Sequence, residues 1–577
     1  MRTTSPTALT TSGEVRGERI GRVHRFLGIP YAADPVGTAR LRPPAKPAAW
    51  EGVRDCVTPS PAPPQGGDLL LEEVVGCERV HTDEAGSLTV NVFTPAASGR
   101  RPVMVWIHGG AYVQGCGLQV WTDGARIAER YDMVVVSLNY RLGALGWLYL
   151  PQLLGPDYAG SANLGLQDQI AALAWVRDNI AHFGGDPDAV TVFGESAGGG
   201  SVAMLLGAPA ARPLFHRAVL QSPPPDAIRT PDQAARIADE FAQVLRELAA
   251  DTAATAAVSD GAVSGAAVSD GAVSDGAALD GAALDGVPPD SVADPAHADV
   301  RTAPLALLLA AQEELVRRYP VGQIPFTPVV DGTVLPLPPA QALRNGSCAH
   351  IPVLAGTNEH EGRLFTGLGP PARPEAFDAA LAAAFPEPER AARARALYEA
   401  YEGGPAGGCE AYRGGPAAGS EAYRAAPAAG SEGAATANDL LAALITDQLF
   451  RAPTDALLDA HTAGGGRAWS YLFRWPTPAL GGGLGSAHTL DIPYVFDALH
   501  APGLAALLGD APPQRLADAM SGAWAHFARH GYPAHELLPD WPEFTPDTRP
   551  TMILDSEPRL TRDPLSDRRA MWNGDDS

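Results

Sequence analysis

The stretch TVFGESAGGGSV, Thr191 to Val202, centres Ser196 in the pattern Gly194-Glu195-Ser196-Ala197-Gly198. The pattern alone is weak evidence. In a chain with 62 glycines it arises by chance roughly 0.3 times. Its setting says more. AVTVFG (Ala189–Gly194) is a short apolar run that predicts a buried strand, and AGGGSVAMLLG (Ala197–Gly207) predicts a helix. A serine on a sharp strand-to-helix turn is the geometry of a nucleophile elbow, which needs small neighbours because the turn leaves no room for side chains. The following helix aims its first N–H groups and positive dipole end at a developing oxyanion. A serine hydroxyl at neutral pH is no nucleophile without a base, so a partner histidine and an orienting acid are expected elsewhere.

Working outward, PVMVWIHGG (Pro102–Gly110) and MVVVSLNY (Met133–Tyr140) also read as strands. Their unbroken apolar character predicts burial on both faces, as in a mostly parallel sheet. Between the second of these and the elbow strand lies LQDQIAALAWVRDNIAHFGG. There Ile170, Leu173, Ala174, Val176 and Ile180 follow helical spacing, with Gly184-Gly185 as the stop. The alternation predicts an α/β fold with the elbow at the carboxyl edge of the sheet. WIHGGAYVQG (Trp106–Gly115) places N–H groups of small residues in a loop after a strand, the kind of donor an acyl oxyanion requires. His108 reads as structural, because its neighbours must supply those donors.

Composition narrows the partners. The 577 residues carry a formal net charge of -24, which repels nucleic acid and anionic lipid. No apolar run reaches membrane-spanning length, and the first twenty residues lack a signal-peptide core, so a cytoplasmic enzyme is expected. Cys56, Cys77, Cys116, Cys348 and Cys409 are scattered and odd in number, which predicts neither a metal site nor a disulfide framework. Two low-complexity stretches read as surface insertions without a catalytic role. Residues 249–299 repeat Val-Ser-Asp-Gly-Ala and Ala-Leu-Asp-Gly-Ala, and residues 398–433 hold three copies of an eleven-residue unit beginning YEAYEGGPAGG. Deletion of 398–430 is expected to spare activity.

Nearly the whole chain, 1–577, resembles type-B carboxylesterases, the α/β-hydrolase family that includes p-nitrobenzyl esterases and cholinesterases. The matching segments include RFLGIPYA (Arg25–Ala32), WIHGGAY, LNYRLGALGWL (Leu138–Leu148), FTPVVDGTVLP (Phe326–Pro336), PVLAGTNEHEGRLF (Pro352–Phe365) and GSAHTLDIPYVF (Gly485–Phe496). The resemblance implies one α/β-hydrolase domain, with a large, mostly parallel sheet, helices on both faces and helical cap insertions. It implies Ser196 as nucleophile, His488 as general base, and oxyanion donors at Gly110, Ala111 and Ala197. The acid matches best at Glu361, directly before Gly362, with Glu359 as the weaker candidate. Ser222 corresponds to a serine that often lies near the triad, within reach of a supporting hydrogen bond. Ser, Glu, His is the order this fold uses.

The implied reaction is hydrolysis of small-to-medium neutral carboxylic esters through an acyl-enzyme, with no metal or organic cofactor. An amidase, lactonase or carbamate hydrolase on the same triad, or a non-catalytic binding protein on this fold, are the alternatives. Monomer or homodimer is left open. Two departures carry expectations. Ala111 replaces a family glycine. Where the family has Glu-Asp-Cys, this chain reads Ala85-Gly86-Ser87, so the first family disulfide cannot form and an acid that pairs near Arg40 and Arg42 is expected to be missing.

Overall fold

The structure is a computed structural model that describes residues 5–66, 81–263, 299–320, 322–367, 372–402 and 435–574. Its strands, in chain order, are β1 (Thr7–Thr10), β2 (Gly13–Arg16), β3 (Glu18–Ile20), β4 (Val23–Pro30), β5 (Val53–Asp55), β6 (Thr89–Thr94) and β7 (Arg101–Ile107). There follow β8 (Val134–Leu138), β9 (Gly185–Glu195), β10 (Arg217–Gln221), β11 (Val353–Asn358), β12 (Ala468–Phe473), β13 (Pro550–Leu554) and β14 (Arg559–Arg562). β1, β2 and β5 form a small three-stranded sheet, and the rest form an eleven-stranded sheet ordered β14-β13-β12-β11-β10-β9-β7-β8-β6-β4-β3. The block from β13 to β8 pairs in parallel, whereas β14 at one edge and β6, β4 and β3 at the other pair antiparallel. The sheet is therefore mixed around a parallel centre.

Alternation along the central strands sends side chains to both faces. On β7, Val103, Val105 and Ile107 join one buried cluster, while Met104 and Trp106 join the other. The first cluster takes in the helix Leu164–Asn179 and the second takes in Gln514–His530. In Leu164–Asn179, Leu173 and Val176 are fully buried as expected, while Ile170 and Ala174 are only half-buried. The chain then stops at Gly184, whose φ of 76° is the left-handed conformation glycine allows. A third cluster joins Phe377, Leu381, Phe385 and Tyr398 to Leu440, Leu441 and Leu444.

Two expectations need correcting here. The helix Pro231–Val263 runs through the start of the first low-complexity stretch, and Ala249 is fully buried on it. Likewise Tyr398, the first residue of the second repeat, is fully buried on the helix Pro388–Glu402. It donates its hydroxyl to Asp447 at 3.0 Å, so a deletion starting at 398 would remove core. The remainder of both repeats, residues 264–298 and 403–434, lies outside the described residues, as do Cys77 and Cys409.

The ion pair near Arg40 is also present. Glu84, one residue ahead of the expected position, takes Arg40 Nε at 2.7 Å and Nη2 at 2.6 Å. Both side chains are largely buried. Ser87 donates instead to the Glu84 carbonyl at 2.9 Å.

Candidate active site

Ser196 lies between the end of β9 and the helix Ala197–Gly207, with φ 57° and ψ −127°. Such a backbone costs on the order of 1–3 kcal/mol and persists only where its surroundings over-determine it. Here they do. Ser196 N–H donates to the Gln221 carbonyl at 3.0 Å, and its own carbonyl accepts from Gly200 N at 2.8 Å. A Cβ on Gly194 would come within 2.6 Å of the Gly198 backbone, and one on Gly198 would overlap the Ile107 carbonyl oxygen. The elbow and the end of β7 touch through backbone alone.

That contact brings the loop after β7 against the serine. A Cβ on Gly109 would lie 3.0 Å from Ser196 Cβ. Gly110, Ala111 and Tyr112 take φ values of 107°, 52° and 61°, a run of left-handed turns that closes with Val113 N and Gln114 N donating to the Gly110 carbonyl. Among the described residues, the N–H groups of Gly110, Ala111 and Ala197 are not engaged by another acceptor. His108 stacks on Tyr140 with centroids 4.4 Å apart, and burial lowers its pKa to about 4. It is a neutral packing group, as its sequence context suggests.

The acid and the histidine meet. Glu361 Oε2 lies 2.6 Å from His488 Nδ1, both fully enclosed, although 127 residues separate them. The other Glu361 oxygen accepts from Asn358 N at 2.6 Å, and Asn358 Nδ2 donates to the Ala487 carbonyl at 2.7 Å. Gly362 N donates to Thr446 Oγ1 at 2.9 Å. Glu359 points elsewhere, 2.7 Å from Arg474. Phe365 and Phe450 pack on the imidazole with centroid distances of 5.4 and 4.6 Å.

Among the described residues His488 Nε2 has no hydrogen-bond partner, and the Glu195 carboxylate approaches it to 3.3 Å. Ser196 and His488 are not hydrogen-bonded to each other. Such bonds often tighten only when substrate binds. Ser222, at the end of β10, is fully buried with φ 44°, but its hydroxyl has no hydrogen-bond partner among the described residues. The supporting bond expected from Ser222 is not made.

Two carboxylates that sequence reasoning passed over complete the site. Burial pushes Glu195 up to about 8, against the pull of the facing imidazole. Asp491 accepts from Gln221 Nε2 at 2.8 Å and Tyr471 OH at 3.2 Å, and burial pushes it up to about 6. For His488 burial acts to lower the pKa, but Glu195 first and Glu361 second outweigh it, and the net shift is upward. Glu195 was visible as the residue before Ser196, and Asp491 sits three residues after His488. Neither carries a spacing rule that would have singled it out.

The segments after β7, β9, β10 and β11 that bear Gly110, Ser196, Ser222 and Glu361 lie at the carboxyl ends of parallel strands, where sites in α/β sheets form. Among the described residues no cluster of His, Cys, Asp and Glu is arranged to hold a metal ion. No described helix is long and apolar enough to cross a membrane.

Comparison with known proteins agrees with this architecture. The sequence model of the Carboxylesterase family matches residues 4–572. The chain is 34% identical to the para-nitrobenzyl esterase of Bacillus subtilis over 567 residues, 97% of either chain. It is 32% identical to the fumonisin B1 esterase of Sphingopyxis macrogoltabida, covering 93% of this chain and 84% of that one. Among solved structures, a thermophilic PNB esterase superposes with a TM-score of 0.76 at 32% identity, over 99% of this chain and 100% of the other. A Geobacillus stearothermophilus carboxylesterase does so with 0.74 at 32% identity, over 98% and 99%. The chain belongs to the carboxylesterase family and is an α/β-hydrolase that cleaves carboxylic esters.

Proposed function

We propose that Ser196, His488 and Glu361 carry out the hydrolysis, through an acyl-enzyme formed on Ser196. The observation that carries this reading is the 2.6 Å hydrogen bond in which Glu361 Oε2 accepts from His488 Nδ1. It fixes the ring with Nε2 as the free nitrogen, at the strand edge where Ser196 turns. His488 Nε2 takes the serine proton as Oγ attacks the ester carbonyl, and the N–H groups of Gly110, Ala111 and Ala197 receive the oxyanion. The imidazolium then protonates the departing alcohol. Water, deprotonated by the same nitrogen, releases the acid.

Glu195, 3.3 Å from His488 Nε2, favours the imidazolium that forms as Ser196 gives up its proton.

The substrates that fit are small to medium neutral esters with an apolar part. Phe365 and Phe450 offer an apolar wall beside His488, which favours an uncharged ester. The overall charge of -24 likewise disfavours nucleic acid and anionic membranes. Cys56, Cys116 and Cys348 are buried free thiols, which suits a cytoplasmic location. One single domain accounts for the sheet and its cover.

A panel of p-nitrophenyl esters, with a matched p-nitroanilide, tests the reading. Acetate to hexanoate esters should turn over, and succinate monoester and anilide should lag by at least about tenfold. Faster anilide or succinate cleavage would contradict it.

A further inference from the structure

The turn Thr446–Arg451 is π-helical, set between the helices Ala437–Ile445 and Ala452–Ala463. Such a widened turn inside a helix is rare and is found frequently at functional sites. Arg451 is its last residue. The buried guanidinium donates from Nη2 to the carbonyls of Asn358 at 3.1 Å and Glu359 at 3.0 Å, and from Nη1 to Asp447 at 3.0 Å. Asp447 is anchored from behind by Arg568 Nε at 2.6 Å and Tyr398 OH at 3.0 Å. A continuous chain of bonds thus runs from the C-terminal helix Ser566–Asn573 to the turn that bears Glu361.

The two carbonyls that Arg451 holds belong to the segment whose other groups set the site. Asn358 N binds Glu361 Oε1, and Asn358 Nδ2 binds the residue before His488. Nη2 bridges two consecutive carbonyls while Nη1 of the same rigid fork holds a carboxylate, a geometry a lysine ammonium cannot reproduce in full. We propose that Arg451 is a positioning residue for ester hydrolysis: its fork fixes the Asn358–Glu361 turn and so sets the Glu361–His488 geometry. The proposal rests on the reading of Glu361 as the triad acid. Arg451 touches neither substrate nor the reacting atoms, and it acts only through Glu361.

The test is a double-mutant cycle on full-length protein with p-nitrophenyl butyrate, using Arg451→Met, Arg451→Lys and Glu361→Gln. Arg451→Met should lower kcat by about tenfold to a hundredfold with KM changed less than about twofold, the cost of a small misplacement. Arg451→Lys should recover part of that loss. In the Glu361→Gln background, Arg451→Met should cost less than about twofold more, because its route of action is already gone. Near-UV circular dichroism confirms folding; if Arg451→Met does not fold, the same cycle with Arg451→Lys decides. Equal multiplicative losses in both backgrounds, or an unchanged kcat in folded Arg451 variants beside a crippled Glu361→Gln, would overturn the proposal alone. An unimpaired Glu361→Gln would overturn the acid assignment and the proposal with it.

Discussion

The two turns that meet at His488 are held in opposite ways. The elbow around Ser196 is held by its own backbone, with Gly194, Gly198 and the Ile107 carbonyl packed so closely that no side chain fits between them. The turn around Glu361 is held by side chains from far along the chain, Thr446 on Gly362 N and Arg451 on the carbonyls of Asn358 and Glu359. A constraint of the first kind is written in adjacent residues. A constraint of the second kind exists only once the chain has folded.

The contrast predicts that substitutions in the elbow act first on stability, and that substitutions around the acid always act on rate, with or without a loss of stability. The largest effect on rate, outside the nucleophile itself, is expected from Glu361→Gln. It should lower kcat for p-nitrophenyl butyrate on the order of 10³- to 10⁴-fold, as loss of the orienting carboxylate does in other triads. A loss below tenfold would place the acid elsewhere. Gly198→Ala should fold poorly, because its methyl meets a backbone oxygen that cannot move aside. A loss of about 3 kcal/mol or more in urea unfolding is expected, and an unchanged midpoint would break the account of the elbow.

Thr446→Val keeps the shape but leaves the buried Gly362 N–H without its acceptor. It should destabilise by about 1–3 kcal/mol and lower kcat as the acid turn loosens. Lost stability with an unaltered kcat would blur the contrast. Glu195→Gln removes the carboxylate that most raises His488. Since the base must be neutral, the acid limb of the kcat/KM profile should move to lower pH, by about one unit. A limb moving upward would contradict the assigned electrostatics.

The smallest effect belongs to Ala111, which holds φ 52° with a side chain. Ala111→Gly should relieve about 1 kcal/mol of strain with little change in rate, read from the thermal midpoint.

The same division explains what could be read from the sequence. The strands around PVMVWI, MVVVSL and AVTVFG, the elbow and the glycine stop at Gly184 all follow from local patterns, and they lie where those patterns predicted. The antiparallel edges did not show, because an apolar run such as Val90–Thr94 carries no mark of its direction. Tyr398 was not singled out, because the other two copies of the unit begin with Cys409 and Ser420 and so give its position no apolar pattern. Glu84 was missed because the ion pair with Arg40 is satisfied one residue away from the expected place. Thr446 and Arg451 left no signal at all. Their role depends on a π-helical turn meeting a loop some ninety residues distant.

The central claim, that Ser196 is the nucleophile of an ester hydrolase, is tested most directly by labelling with a fluorophosphonate and locating the adduct by peptide mass spectrometry. A single adduct on Ser196 is expected and, for Ser196→Ala, no labelling and a loss of p-nitrophenyl butyrate hydrolysis on the order of 10⁴-fold or more. An adduct on another residue, or Ser196→Ala turning over the ester at the unmutated rate, would contradict it.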